Sequence, residues 1–583
     1  MLRRLTIACG LLTAFCAPTV ARTKPFTFVV LGDRTGDARP DVFNQIITEI
    51  KLLHPDFIIG TGDLIEGYNS DTAVIRAEWD SVLGLLRSTG VPCHFAPGNR
   101  DVFDARSESI YARHVGRTCQ VLRYGNSTFI LLDNSRRPLA QSLPPAELRW
   151  LDSELAKAKK SRHTFVLMHR PYWRYALEGN RPDPMHELLK KQGTDYVFTG
   201  HDHFYCSCVR DSIGYFQVGP SGSRTKVHDD RAEGAFQNYL FCRVSGESVT
   251  VTVREPGKYE PMPPDIVTFE SIKALEDTKR RALTLVPVSV PQAIDIAAET
   301  DVAIENVTAQ RLSGTLTWRD GTTSWRATPK EISYSVTPGG RVSQRVSLTL
   351  GYGDSLYPLP SCSLHYEYMP GRSVELRPRL PVRRQTSMLK VTSKPSTDGR
   401  LNDPCWQVAA PIRSFGSKAG DRPRVEPTEV WIGADDSALY IAARCRESRL
   451  DRLRPSITQP DGRVYDDDHL DFVLDPERQV SAVDSGVYYE VFVNALGTVA
   501  DRKCWFDAGE SKQDYSWNGR WQIATGRGDG YWTVEMSCPL PDLGPAGSAW
   551  GLNVVRFQSR LKDTSVWQAP FEHDPSTFGV LAR

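Results

Sequence analysis

The stretch Phe26-Thr27-Phe28-Val29-Val30-Leu31-Gly32-Asp33-Arg34-Thr35-Gly36 runs through an apolar segment and stops abruptly on Gly-Asp. A short, nearly continuous apolar run is what a strand covered on both faces looks like. Val42, Phe43, Ile46, Ile47, Ile50 and Leu53 follow at helical spacing. Phe57-Ile58-Ile59 then predicts a second strand, and Ile75, Trp79, Val82, Leu83 and Leu86 a second helix. This alternation predicts an α/β domain over residues 25–262. After Phe204 the pattern changes to strands alone, around Tyr205 to Arg210, Tyr215 to Val218, Tyr239 to Val244 and Val249 to Val253.

The chain has 583 residues, room for roughly four domains of about 150 residues each. Hydrophobic residues are 40% and charged residues 24%, a balance that argues for a folded chain and against wholesale disorder. Lys plus Arg is 71 and Asp plus Glu is 70. The resulting +1 argues against a protein built to wrap a nucleic-acid duplex. Residues 1–21 read as a secretory signal peptide: Arg3 and Arg4, an apolar stretch from Leu5 to Val20 broken by Pro18, and small residues at Thr19-Val20-Ala21. The apolar stretch is too short and broken for a membrane span, which needs roughly 20 apolar residues, and no later segment qualifies. The expected location is secreted or periplasmic. Export permits disulfides among the ten cysteines after residue 21, but their spacing does not set the connectivity.

Pro256 to Pro264 is a proline-rich break, and Phe269 to Leu283 predicts a charged helix. Residues 285–385 carry strand-and-turn sequence that predicts a small, immunoglobulin-like β-sandwich. The basic, proline-containing sequence near Arg377 to Arg384 reads as a linker. Residues 388–583 are β-rich and hold eight of the 13 tryptophans.

Five polar clusters occur in order in the first domain, each directly after an apolar run. They are Gly32-Asp33-Arg34-Thr35-Gly36, Gly62-Asp63-Leu64-Ile65-Glu66, Gly98-Asn99-Arg100-Asp101, Met168-His169-Arg170 and Gly200-His201-Asp202-His203. If the runs are strands, all five sit at strand C-terminal ends, where α/β sheets bind ligands. Asp, Asn and His are oxygen and nitrogen donors suited to Mn, Fe, Zn or Ni. One carboxylate can bridge two cations, and such a pair can stabilise both oxygens of an in-line phosphoryl displacement.

This ordered set resembles the calcineurin-like metallophosphoesterase superfamily. The resemblance implies an α/β metallophosphoesterase sandwich (α/β/β/α) with two divalent transition-metal ions. Carried over, Asp33, Asp63 and His203 hold the first ion, Asp63 bridges, and Asn99, His169 and His201 complete the second. Glu66 and Asp101 take supporting positions, and Arg34, Arg170 and Tyr172 adjoin the motifs within reach of substrate phosphate or of mere packing. Two residues depart from the pattern. Thr35 stands where the superfamily has His, so the first site is weakened unless a hydroxyl or water fills the gap. Arg100 stands where a phosphate-contacting His is usual; Arg is a poor general acid but a good clamp for phosphate charge. Gly-Asn-Arg-Asp also resembles the branch that hydrolyses a UDP-linked lipid A precursor, an intracellular substrate that export argues against.

The last third carries Asp398-Gly399-Arg400-Leu401-Asn402-Asp403-Pro404-Cys405-Trp406, Val430-Trp431-Ile432-Gly433, Tyr489-Glu490-Val491-Phe492-Val493-Asn494 and Trp550-Gly551-Leu552-Asn553. These phrases resemble the family 9 carbohydrate-binding modules, which implies a second all-β sandwich and a polysaccharide or glycan partner. Trp431, Trp505, Trp517 and Trp567 are the candidates for stacking on sugar rings, while Trp532 and Trp550 read as core. The expected function is an exported metal-dependent hydrolase of phosphate mono- or diesters. Asp63 and Arg100 carry the catalytic roles, and the C-terminal module binds carbohydrate. The alternative is a carbohydrate-binding or scaffold protein with a degenerate, inactive phosphoesterase site. A glycosidase ranks last, because no pair of carboxylates is placed for it.

Overall fold

The structure is a computed structural model that describes residues 24–225, 230–292, 295–319, 323–453, 455–478, 486–507 and 510–583. The signal peptide read over 1–21 lies outside the described residues. The chain divides into two compact units, 1–276 and 277–583.

The first unit begins with β1 (Phe26–Leu31), α1 (Pro40–Leu53), β2 (Phe57–Gly60), α2 (Thr72–Arg87), β3 (Cys93–Phe95) and α3 (Ala105–His114). It continues with β4 (Gln120–Tyr124), β5 (Ser127–Leu131), α4 (Pro145–Ala158), β6 (His163–Leu167), α5 (Tyr172–Glu178), α6 (Pro184–Gln192) and β7 (Tyr196–Thr199). Four strands close it: β8 (Cys206–Arg210), β9 (Ile213–Gln217), β10 (Tyr239–Ser245) and β11 (Ser248–Arg254). They form two sheets, ordered β11-β10-β1-β2-β3 and β4-β5-β6-β7-β9-β8. Strands β1, β2 and β3 run parallel, as do β5, β6, β7 and β9.

The apolar runs are continuous because each central strand is buried on both faces. Phe28 and Val30 of β1 point into the space between the sheets, while Val29 and Leu31 point to the helices α1, α2 and α3. Phe165 and Leu167 of β6 do the same on the other side, with Val166 turned to α4 and α6. The result is the α/β/β/α sandwich. Its middle layer is aromatic: Phe165 stacks on Phe129 at 4.5 Å and meets Phe28 edge-on at 5.5 Å. Helix α2 starts where the side chain of Asp71 accepts the amide of Ala73 at 2.8 Å, a conventional N-cap.

The second unit is β-rich throughout. Strands 283–285, 296–305, 341–350 and 326–328 make one sheet, and 331–336, 312–318, 362–369 and 372–376 another. A ten-stranded and a five-stranded sheet follow, packed over a core that includes Phe472, Trp532, Trp550 and Trp567. The linker reading near Arg384 is corrected here. Val382–Ser387 is a strand of the ten-stranded sheet, paired with Val288–Pro291 on one side and Gly579–Ala582 on the other. Arg384 is buried, and its guanidinium donates to the carbonyls of Arg413, Ser414 and Trp567. A basic residue on a linker belongs in solvent; this one is held by three carbonyl acceptors. The ten cysteines of the described residues are all free thiols. Among the described residues no helix is long and apolar enough to cross a membrane.

Phe165→Ala removes the ring at the centre of the aromatic layer. It is expected to cost about 3–5 kcal/mol, read as a lower denaturation midpoint of the first unit's transition.

Candidate metal centre

The loops after β1, β2, β3, β6 and β7 meet at one rim of the sandwich. Two groups of ligand-type side chains converge there, Asp33 with Asp63 and His203, and Asp63 with His169 and His201. Asp63 belongs to both. Asn99 joins the second group, its Oδ1 3.0 Å from Nε2 of His169. Nε2 of His169 also lies 3.5 Å from Oδ2 of Asp63 and 3.0 Å from Nδ1 of His201.

Main-chain carbonyls set the tautomers. Nδ1 of His169 lies 2.9 Å from the carbonyl of Thr61, and Nδ1 of His203 lies 2.7 Å from that of Arg224. A ring that donates from Nδ1 presents a bare lone pair at Nε2 when neutral. Nε2 of His203 lies 3.2 Å from Oδ2 of Asp33. That carboxylate oxygen is buried and accepts no hydrogen bond among the described residues. Nε2 of His169 faces the Asn99 oxygen in the same way. Arg170 donates to Nε2 of His201 at 2.9 Å, which leaves that ring's proton on Nδ1, directed at His169.

The Asp63 turn is held from behind. Asp101 accepts the amides of Asp63, Leu64, Ile65 and Gly98 on its two oxygens, at 2.7 to 3.3 Å. The Thr35 hydroxyl lies 2.8 Å from the carbonyl of Asp63 and 2.5 Å from that of Ile65. Position 35 thus braces the turn and adds no ligand atom to either group. Two glycines are obligatory in this packing. A Cβ on Gly98 would overlap Oδ1 of Asp63, and one on Gly200 would overlap Oδ1 of Asp33.

Arg100 lies along the same edge. Its amide donates to Oδ1 of Asp63 at 2.8 Å, and its guanidinium lies 3.8 Å from Oδ2 of Asp63 and 3.0 Å from the Glu66 carboxylate. Glu66 also accepts the amide of Gly36. Arg34 is spent on packing, donating to the carbonyl of Leu64 and lying over the ring of Phe43. Tyr172 is buried with its hydroxyl on the carbonyl of Arg137.

Burial, then the charge of Asp33, pushes the carboxyl of Asp63 up to about 8. Burial and the charge of Asp63 push Asp101 up to about 7. Burial works against ionisation of Asp33 too, but His203, His169 and the amide of His201 outweigh it and hold that carboxyl below the usual range. Burial also lowers the pKa of His169, against the opposing charge of Asp33.

Three supporting residues escape motif reading. Asn134 accepts the amides of His169 and Arg170 and donates to the carbonyl of Arg170. Its signal is present in the sequence, because it follows the apolar run Phe129 to Leu132 just as the five clusters follow theirs. Arg174 is buried, pairs with Asp202 and Glu178, and donates to Gln217, so it anchors the loop between His201 and His203. Tyr68 accepts the amide hydrogen of Asn99 at 2.8 Å. Nothing in the linear order of Arg174 or Tyr68 points to these contacts.

The tryptophans of the last third divide. Trp567 is fully buried and Trp431 is 8% exposed, its indole N–H on the carbonyl of Ala409. Trp567 is corrected from a sugar-stacking candidate to a packing residue, since its ring is fully buried, and the guanidinium of Arg444 lies 5.8 Å from the ring centroid of Trp431. Trp505 and Trp517 are half-buried, and Trp517 lies against Tyr489 with ring centroids 4.6 Å apart.

The raised carboxyls predict a sign for the pH dependence. The native protein keeps protons on Asp63 and Asp101 that the unfolded chain releases near about pH 4. Without metal, the stability these two carboxyls contribute is therefore lost as pH rises from about 4 towards 8, while His169, lowered by burial, contributes with the opposite sign. Thermal melts in chelator read this directly, and Asp63→Asn is expected to flatten the slope.

No curated protein matches the chain in sequence. Among solved structures, a dimetal phosphatase from Danio rerio is similar at 15% identity, covering 41% of this chain and 98% of its own, with a TM-score of 0.31. A purple acid phosphatase from yellow lupin is similar at 15% identity, covering 43% of this chain and 55% of its own, with a TM-score of 0.32. A family 9 carbohydrate-binding module from Caldicellulosiruptor kristjanssonii, in complex with glucose, is similar at 17% identity, covering 34% of this chain and 93% of its own, with a TM-score of 0.24. Residues 26–205, which carry all five polar clusters and the side chains that converge from them, match the calcineurin-like phosphoesterase family, and this part of the chain is a calcineurin-like phosphoesterase domain.

Proposed function

We propose that the protein is an exported, metal-dependent phosphoesterase whose C-terminal module holds it on a glycan. The observation that carries the first half is that two groups of donor side chains share the carboxylate of Asp63. The residues fit cations. The ring nitrogens of His169 and His203 lie about 3 Å from side-chain oxygens, and a buried carboxylate oxygen of Asp33 lacks a hydrogen bond; a cation fits among such donors. Asp33, Asp63 and His203 would hold one ion, and Asp63, Asn99, His169 and His201 the other. The donors are nitrogen and oxygen, which suits Mn, Fe, Zn or Ni. When bound, such ions polarise a phosphoester and make water more acidic.

The chain's own groups do the rest. Asp63 keeps the two groups in register. The carbonyls of Thr61 and Arg224 hold His169 and His203 in the tautomers that leave Nε2 bare. Arg100 is tethered by Glu66, so its guanidinium is oriented before substrate arrives and can balance charge that develops on the phosphoryl oxygens. Its fork suits that role better than a lysine would. Position 35 leaves the first group with three protein ligands, the weaker of the two sets.

The C-terminal reading is supported by a buried polar cluster. Asp471 and Glu490 are buried on neighbouring strands, Arg502 pairs with Glu490, and Nδ1 of His573 lies 3.3 Å from it. Oδ1 of Asp471 has no hydrogen-bond partner among the described residues. Arg502 and His573 carry this cluster towards the surface, and polar groups of this kind suit sugar hydroxyls. The domain boundaries 25–262, 285–385 and 388–583 are part of this proposal.

Purified protein is expected to contain two divalent transition-metal ions and to hydrolyse chromogenic phosphate esters. His169→Ala should lose metal and activity together, and Arg100→Lys should keep metal while kcat falls about 10²–10³-fold. A metal-free, inert protein would return the reading to a binding protein with a degenerate site. Glu490→Gln is expected to lose retardation on polysaccharide gels, while unchanged migration would remove the glycan half of the proposal.

A further inference from the structure

Tyr68 is 58% exposed at the edge of the candidate centre. An exposed tyrosine on a loop needs no explanation by itself. This one is held in a costly conformation. Its backbone is in the left-handed region at φ 50, which an aromatic residue adopts only where the surroundings fix it there. Gly67, before it, lies in the same region at φ 58, with Arg100 packed so close that a Cβ would overlap the Arg100 carbonyl. The ring leans on Phe103, with centroids 5.2 Å apart, and its oxygen accepts the amide hydrogen of Asn99 at 2.8 Å. The ring therefore starts at a member of the second donor group and runs outwards to open solvent.

Two charged groups adjoin it. The guanidinium of Arg100 lies 5.8 Å from the ring centroid and 3.0 Å from the carboxylate of Glu66, whose side chain is 43% exposed. Aromatic face, cation and carboxylate thus share one edge of the centre. A phosphoester that engages Arg100 there has the group bonded to its ester oxygen beside Tyr68. The chemistry of the edge selects that group. An aromatic face packs against C–H surface, and a carboxylate accepts hydroxyl hydrogens. An acyclic alcohol leaves the aromatic face uncovered, a plain hydrocarbon ring gives Glu66 no donor, and a second phosphate meets like charge at Glu66. A sugar ring offers both C–H surface and hydroxyls. We propose that the substrates are phosphate esters of sugars, with the sugar ring bonded to the ester oxygen and seated on Tyr68, which is then the specificity-determining residue of the site. This names a substrate class for the phosphoesterase reading and rests on that reading. Tyr68 binds and orients the sugar and takes no part in the bond changes. The left-handed turn at Gly67 and Tyr68 keeps the ring at the edge of the centre before substrate arrives, so less ordering is left for binding to supply.

The test measures kcat and KM for wild type, Tyr68→Ala and Tyr68→Phe on glucose 1-phosphate, cyclohexyl phosphate and glycerol phosphate, with metal content measured on each protein. Tyr68→Ala is expected to raise KM for glucose 1-phosphate about tenfold, and for glycerol phosphate by no more than about twofold. Tyr68→Phe keeps the ring face and is expected to restore the wild-type KM. Wild type is expected to show a lower KM for glucose 1-phosphate than for cyclohexyl phosphate, which has the ring without the hydroxyls. A KM that rises equally on every ester, or metal lost from Tyr68→Phe with KM unrestored, would make Tyr68 a support for Asn99 and overturn the proposal. A wild-type KM for cyclohexyl phosphate equal to or below that for glucose 1-phosphate would overturn the sugar class. If glycerol phosphate alone is hydrolysed, the sugar assignment fails by itself; if wild type hydrolyses none of the esters, it is the phosphoesterase reading that fails.

Discussion

The candidate centre depends on a single strained turn. Asp63 sits at φ 55, in a region that costs an ordinary residue about 1–3 kcal/mol, and its carboxylate is the side chain both donor groups share. The turn is kept by groups that never reach the rim. Asp101 collects four amides around it, and Thr35 closes on two of its carbonyls. His201 and His203 are also left-handed, at φ 81 and 57, and Asp202 between them is tied down by Arg174 and Tyr175. The rim is therefore built from unfavourable conformations that the surrounding hydrogen bonds over-determine.

The same arrangement stores an electrostatic problem. Asp33, Asp63 and Asp101 are all buried within one another's influence, and that is why two of them hold protons well above the normal range. Burying like charges without compensation costs several kcal/mol. A protein that buries three carboxyl groups there beside the ring nitrogens of His169 and His203 is organised around positive charge. Replacement of the usual histidine by Thr35 fits this logic. The hydroxyl satisfies main-chain carbonyls and strengthens the turn, at the expense of one donor to the first group.

In the β-rich unit the same reasoning separates packing from recognition. Tryptophan is the residue most readily assigned to sugar stacking, but Trp567 is wrapped by core and by the carbonyl contacts of Arg384 and Tyr357. Buried groups without a hydrogen-bond partner among the described residues include Oδ1 of Asp471 as well as the indole nitrogens of Trp318, Trp550 and Trp567. Asp471 lies on a strand whose Leu470, Phe472 and Leu474 fill the core, so it points to the opposite face, where its carboxyl is raised by burial and by Glu490. Alternation along the strand explains why apolar and acidic residues can be neighbours in sequence and both be buried.

Much of the first unit is legible without coordinates. Continuous apolar runs, helical spacing between them and polar clusters at their ends are local signals, and they are reliable because a strand covered on both faces has no other way to be written. The ligand types and their order belong to the same local record. Other features depend on distances across the fold. That Thr35 braces a turn 28 residues away, that Arg174 anchors a loop and that Tyr68 meets Asn99 are facts about side chains brought together from separate elements. The strand at Val382–Ser387 reads as a linker because its arginines look like solvent residues until three carbonyls close on Arg384. Local periodicity and residue chemistry determined which pieces the molecule has. Which polar groups those pieces turn towards one another was decided only by tertiary packing, because hydrogen-bond partners are set by proximity in space and not by separation along the chain.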